Sequence, residues 1–222
     1  MTSSRASATA IATLLALTTG VTAPASAQLG RQQGLLEPNV ATESAMLKVP
    51  GMNASIAGSL KDARPVLSIV ALDSILASKS LTKAQRSALY GRMFVHVDLN
   101  RGTDAELLLV PGVDGKTLAA LKAGRPYKTL AQFRAAMTKA GNATSATRLE
   151  RYFFIPVDLN TFTDPIMDSF ASIGVGTKQW KHEFAEYRPW TSMEQFERNI
   201  GKYVRGRPTE LKRLQRYVII NK

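Results

Sequence analysis

The chain has 222 residues, no cysteine, two histidines and a formal net charge of +12 at pH 7. Without cysteine there are no disulfides, no thiol catalysis, no lipoprotein anchor and no cysteine-based zinc finger. A sequence pI near 10.1 suits a polyanionic partner, nucleic acid or an anionic envelope polymer, and also fits a plain solubilising charge.

Residues 1–27 read as a cleaved signal peptide. Arg5 leads into an apolar stretch from Ala8 to Val21, followed by Pro24 and Ala25-Ser26-Ala27, whose small residues fit cleavage before Gln28. The stretch is too short and too rich in small residues for a span of roughly 20 residues. The expected location is therefore the periplasm or the medium, with no membrane span in the mature chain. Residues 28–38 are polar and rich in Gly and Gln at their start, and read as a flexible mature N-terminus.

Beyond this point the chain is periodic. Val97-Asp98-Leu99-Asn100 returns as Val157-Asp158-Leu159-Asn160. Behind each comes a Thr-Asp start, an apolar helix, a Gly-containing turn with a lysine, a second helix, an Arg-Pro-aromatic break and a third helix. The breaks are Arg125-Pro126-Tyr127 and Arg188-Pro189-Trp190. Sliding residues 39–76 by 61 positions onto 100–137 gives an earlier copy: Asn39 meets Asn100, Val49-Pro50-Gly51 meets Val110-Pro111-Gly112, and Arg64-Pro65 meets Arg125-Pro126.

The third helix of each copy carries apolar residues at i, i+3 and i+7: Ile69, Leu72, Leu76; Leu130, Phe133, Met137; Met193, Phe196, Ile200. That spacing marks one buried helical face. Thr103-x-x-Glu106 is a capping box, Thr163 is a candidate cap with Pro165 in its first turn, and Pro111 to Gly115 forms a turn that permits positive φ. Each Arg-Pro pair ends a helix. Arg64, Arg125 and Arg188 read as structural residues rather than phosphate contacts. Segments 95–100 and 155–160 read as short extended connectors, so the units should form a compact rod or arc.

The expected fold is thus all-α. Three tandem units of about 60 residues cover 39–96, 97–156 and 157–222, after the signal peptide. The charge excess is even along them, +4, +4 and +3 from residue 28 onward.

The string Val-Asp-Leu-Asn, Thr-Asp-x-Glu-Leu, Leu-Val-Pro-Gly-Val, Lys and Arg-Pro-Tyr resembles the ComEA-type helix-hairpin-helix domain, over most of residues 39–200. Members are exported or surface-attached DNA receptors of bacterial competence systems. The resemblance implies sequence-independent binding of double-stranded DNA through hairpin amides, and a monovalent cation held in the hairpin. Physically, glycine lets backbone amides approach a phosphate at a helix N-terminus, and a following lysine adds a charged contact. Such contacts position a duplex without reading it.

The closest match is Gly174-Val175-Gly176-Thr177-Lys178, although Ile173 replaces the usual proline. The middle copy offers Gly112, Val113, Gly115 and Lys116 but places Asp114 at the second glycine position. The first copy has Pro50-Gly51-Met52-Asn53 and no lysine in its turn. Second hairpins are eroded: Lys79 to Lys83 lacks glycine, Gly141-Asn142-Ala143 keeps one, and Val204 to Pro208 is irregular but basic. Arg205, Arg207, Lys212 and Arg213 complete the expected DNA contacts, with Arg216 beside them.

Two other classes compete with DNA binding. Altered turns favour a protein-interaction or scaffold module with an unidentified envelope partner, one that keeps the fold and has lost DNA. An enzyme is the weakest reading, because no Ser-His-acid arrangement or metal-ligand spacing is evident. Asp98 and Asp158 read as turn chemistry. His96 and His182 read as surface or boundary residues, so no catalytic residue, metal or cofactor is expected.

Overall fold

The computed structural model describes residues 28–30 and 34–221, and the signal-peptide reading of residues 1–27 lies outside them. The chain is mostly helical and passes through helices in groups of four. The first group is α1 (Glu43–Met46), α2 (Ala54–Asp62), α3 (Ile69–Ser78) and α4 (Lys83–Tyr90). After strand β1 (Val97–Asp98) come α5 (Asp104–Leu108), α6 (Gly115–Ala123), α7 (Leu130–Lys139) and α8 (Ala143–Leu149), ending in β2 (Phe153–Phe154). The last group runs β3 (Val157–Asp158), α9 (Asp164–Asp168), α10 (Lys178–Glu186), α11 (Met193–Ile200), α12 (Pro208–Gln215) and β4 (Val218–Ile219). Among the described residues no helix is long and apolar enough to cross a membrane.

Short polar side chains start these helices. Thr42, Asn53, Ser68, Thr82, Thr103, Asp114, Thr129, Thr177 and Ser192 each accept a first-turn amide. The Thr103–Glu106 capping box is present. Thr163 is a correction: it stands at the cap of α9 but its side chain accepts no first-turn amide, and Pro165 sits in the first turn of that helix. The third helices bury the anticipated faces, with Met193 the one member left half-buried.

The connectors are more than linkers. β1 pairs in parallel with β2, and β3 with β4, while Leu36 bridges Met93 in the same sense. The start of each group is therefore hydrogen-bonded to the end of the same group. Val97, Phe153, Phe154, Val157 and Val218 are buried, β-branched or aromatic residues that suit such pairing.

A second device recurs with nearly the same geometry. Asn39, Asn100 and Asn160 each use the side-chain amide as a backbone surrogate, donating to and accepting from Val66, Tyr127 and Trp190 at 2.6–3.0 Å. In each case the partner follows an Arg-Pro pair. The arginine turns back: Arg64 reaches the carbonyls of Pro38 and Ala41, Arg125 those of Leu99 and Gly102, Arg188 those of Leu159 and Phe162. Arg188 also lies 3.9 Å from the Phe162 ring centroid. These arginines clamp the opening turn of their group. Replacing Asn160 with alanine removes both bonds to Trp190 and should cost about 2 kcal/mol, at about 1 kcal/mol per net hydrogen bond. Urea denaturation measures it, and an unchanged midpoint would show the lock contributes nothing.

In the segment expected to be loose, the described residues 28–30 and 34–38 are docked instead. Leu29 is buried and bridges Phe154, Ile155 N–H donates to the Gln28 carbonyl, and Leu36 exchanges backbone bonds with Arg92 and Phe94. Glu37 is buried and meets the Nδ1 of His96 at 3.1 Å, while its other oxygen accepts from Asn39. His96 is thus a core residue, not the boundary residue anticipated. Average polarity hid both facts, because isolated leucines and one carboxylate do the docking.

The anticipated rod or arc also closes on itself. Val40 packs on Gly174, and Arg216 donates to the His96 carbonyl. A cavity of about 450 Å³ lies between Asn39, Arg64 and Pro65 on one side and Arg207, Pro208 and Arg213 on the other. Two apolar clusters result, one spanning residues 35–155 and one built around Trp180, Phe184, Trp190 and Phe196.

Candidate nucleic-acid interface

Three turns carry the expected DNA contacts, each joining the first and second helices of its group. Every one has a left-handed glycine: Gly51 at φ 85°, Gly112 at 91° and Gly174 at 73°. A Cβ is strained there, so glycine is the natural occupant. Each turn then delivers a capping side chain to the next helix, namely Asn53, Asp114 and Thr177. Asp114 therefore corresponds to Thr177 and not to Gly176. The last turn holds one residue more, which displaced the match made by motif alone.

The turn that looks best preserved is closed. The amide of Gly174 donates to Ala171, and those of Val175 and Gly176 donate to Phe170, at 3.0–3.2 Å. Val175 is fully buried. A Cβ on Gly176 would collide with the Met167 carbonyl oxygen and lie 2.7 Å from the Ala171 nitrogen. Its glycine answers to internal crowding, which a phosphate site would also select. Thr177 and Lys178 are exposed.

Arg213, expected at a phosphate, is 4% exposed. Its Nη1 donates to the Ile173 carbonyl at 2.9 Å, while Nε and Nη2 grip Glu210. It braces the last turn from α12. The position corrects the reading of Arg213 as a free basic residue.

The middle turn is open. Gly112, Asp114, Gly115 and Lys116 are exposed, and Val113 is half-buried with its amide bonded to Val110 at 3.0 Å. The guanidinium of Arg148, from α8, comes within 3.4 Å of where a Gly112 Cβ would stand. Asp114 accepts the Thr117 amide at 2.8 Å, and that bond holds its carboxyl below the usual range. The carboxylate therefore stays ionised and occupies one of the first-turn amides of α6. Gly115, with open space around it, starts that helix.

The remaining candidates sit on α12 and the turn before it. Arg205, Arg207 and Lys212 are exposed, as is Gly206 at φ 74°. Lys212 faces a cavity of about 320 Å³ shared with Asp98, Arg101, Glu106, Gln215 and Arg216. Its charge is mixed, since Arg101 is paired with Asp98. Second hairpins keep a left-handed residue each, Ser80, Gly141 and Gly206, even where no glycine marks the first of them.

Motif reading missed Arg148. It lies in a different hairpin from Gly112, and only the packing of α8 brings the two together; no local spacing signals it. No family model, curated protein or solved structure matches the chain.

Proposed function

We propose that the chain is an exported protein of three tandem helix-hairpin-helix units that binds double-stranded DNA without reading its sequence. The open middle turn is its principal contact. One observation carries this reading: Gly112 and Lys116 are exposed, with the Arg148 guanidinium set against the left-handed glycine. Two cations flanking a turn at a helix start offer a phosphate charged contacts and a favourable helix dipole. The thrice-recurring asparagine and arginine locks support the division into units, and the resemblance to exported DNA receptors agrees with the charge.

A titration of random-sequence duplex across a salt series tests it. Log affinity should fall linearly with log salt, by about 0.9 per neutralised phosphate. Lys116→Ala and Arg148→Ala should each flatten the slope by about 1, and Lys178→Ala should do so less. Absence of binding at about 50 mM salt, where phosphate contacts are strong, would end the DNA reading.

A second reading, an envelope scaffold, has its own observation. Leu47 and Leu108 occupy the same place before the first two turns and are 43% and 51% exposed. Paired exposed leucines on turns whose neighbour is closed by its own chain suit a protein partner.

A further inference from the structure

Outside the hairpins, α10 carries a cluster that the DNA reading does not use. His182 and Glu186 lie one helical turn apart, with Nε2 and Oε2 separated by 3.3 Å and both side chains exposed. Glu183, beside them, is 8% exposed. Its Oε2 is buried and has no hydrogen-bond partner among the described residues. One donor atom from each of the three lies within 4.8 Å of the others.

A buried carboxylate oxygen without a donor carries a desolvation cost that a cation would relieve. Nearby cations are committed elsewhere. Lys181 is bonded to Asp168 at 2.7 Å, and Lys202 lies over the Tyr187 ring at 5.5 Å. The Tyr203 hydroxyl, 3.0 Å from that of Tyr187, hydrogen-bonds to the Glu183 carboxyl, so among the described residues the carboxylate as a whole has one neutral donor and no cation.

We infer that His182, Glu183 and Glu186 bind a first-row divalent transition metal ion, Zn²⁺ fitting best. One imidazole and two carboxylates form a three-ligand set that leaves a position for water. Zinc bonds of roughly 2.1 Å at tetrahedral angles put donor atoms about 3.4 Å apart, close to the His–Glu separation. The imidazole disfavours Mg²⁺ and Ca²⁺, which take oxygen ligands. The ion would satisfy the orphaned oxygen and pin the exposed pair to the helix.

Calorimetric titration of the metal-stripped chain with ZnCl₂ tests the site, with CaCl₂ as the comparison. One equivalent of Zn²⁺ should bind. His182→Ala and the near-isosteric Glu183→Gln should each weaken binding by at least about 10-fold, the scale on which metal sites lose affinity when their shell is damaged. His182 is exposed, so that variant keeps the apo melting temperature and isolates the ligand. Zinc binding unchanged in His182→Ala, equal affinity for Ca²⁺, or no stoichiometric binding would each overturn the site.

Discussion

Alanine at position 176 should lower stability by about 3 kcal/mol, the upper end of what an overpacked core methyl costs. The added Cβ would fall on the Met167 carbonyl oxygen and lie within 3 Å of two more backbone atoms. Those atoms belong to α9 and the turn after it, where no flexible side chain can yield. Relief requires the turn to move away from Phe170, whose carbonyl accepts both the Val175 and Gly176 amides. At about 2–4 °C per kcal/mol for a chain of this size, the melting temperature should drop by about 6–12 °C. Gly115→Ala is the control. Nothing lies within 4 Å of its would-be Cβ, and it opens α6, so its effect should stay within about 0.5 kcal/mol. Equal melting temperatures for the two variants would contradict the packing of the last turn.

The same result bears on how DNA binding is tested. Gly176→Asp looks at first like a way to place a carboxylate beside a phosphate. The structure turns it into a folding mutation, because any Cβ collides before charge matters. Lys116 and Arg148 are the cleaner probes, being exposed and removable without a cavity. Charge effects at such positions act through the salt slope rather than through stability.

Much of the architecture was legible because it is written in local residues. Arg-Pro pairs, the Thr103–Glu106 capping box and the i, i+3, i+7 apolar triads act within one helix or one turn, and they lie where the sequence places them. The recurrence of Asn39, Asn100 and Asn160 was visible as well, though their partners 27 to 30 residues away were not. What stayed hidden rests on single long-range contacts. Glu37 finds His96 across 59 positions, and Arg216 finds it across 120. Such pairs have no period, so hydrophobic patterning is silent about them. The connectors illustrate a middle case: their extended character follows from sequence, but their partners are two-residue strands too short to stand out in a helical background.

The candidate site fared less well for a related reason. Motif matching weighs glycine and lysine in one turn, and cannot see what packs on that turn. Val40 and Arg213 close the last turn from opposite ends of the chain. Arg148 opens an option at the middle one that no spacing rule contains. Identity of residues in the turn and access to it are separate properties, and only the first is local.

Arg213→Ala separates those two properties most sharply. The guanidinium is buried, holds the Ile173 carbonyl and is paired with Glu210, whose side chain is 19% exposed. Removing one partner of a buried pair costs about 3–5 kcal/mol, and the partial hydration of Glu210 places this case near 3. Arg213→Met, which keeps the aliphatic stem, should recover part of that loss, since the stem itself fills space against the turn. Lys212→Ala, one residue away and exposed, should leave stability within about 0.5 kcal/mol. DNA binding should respond in the opposite order. A residue that cannot reach a phosphate contributes nothing to counterion release, so the salt slope of Arg213→Met should equal that of the parent. A slope reduced by about 0.9 in that variant would place Arg213 on the duplex and reopen the last turn as the contact.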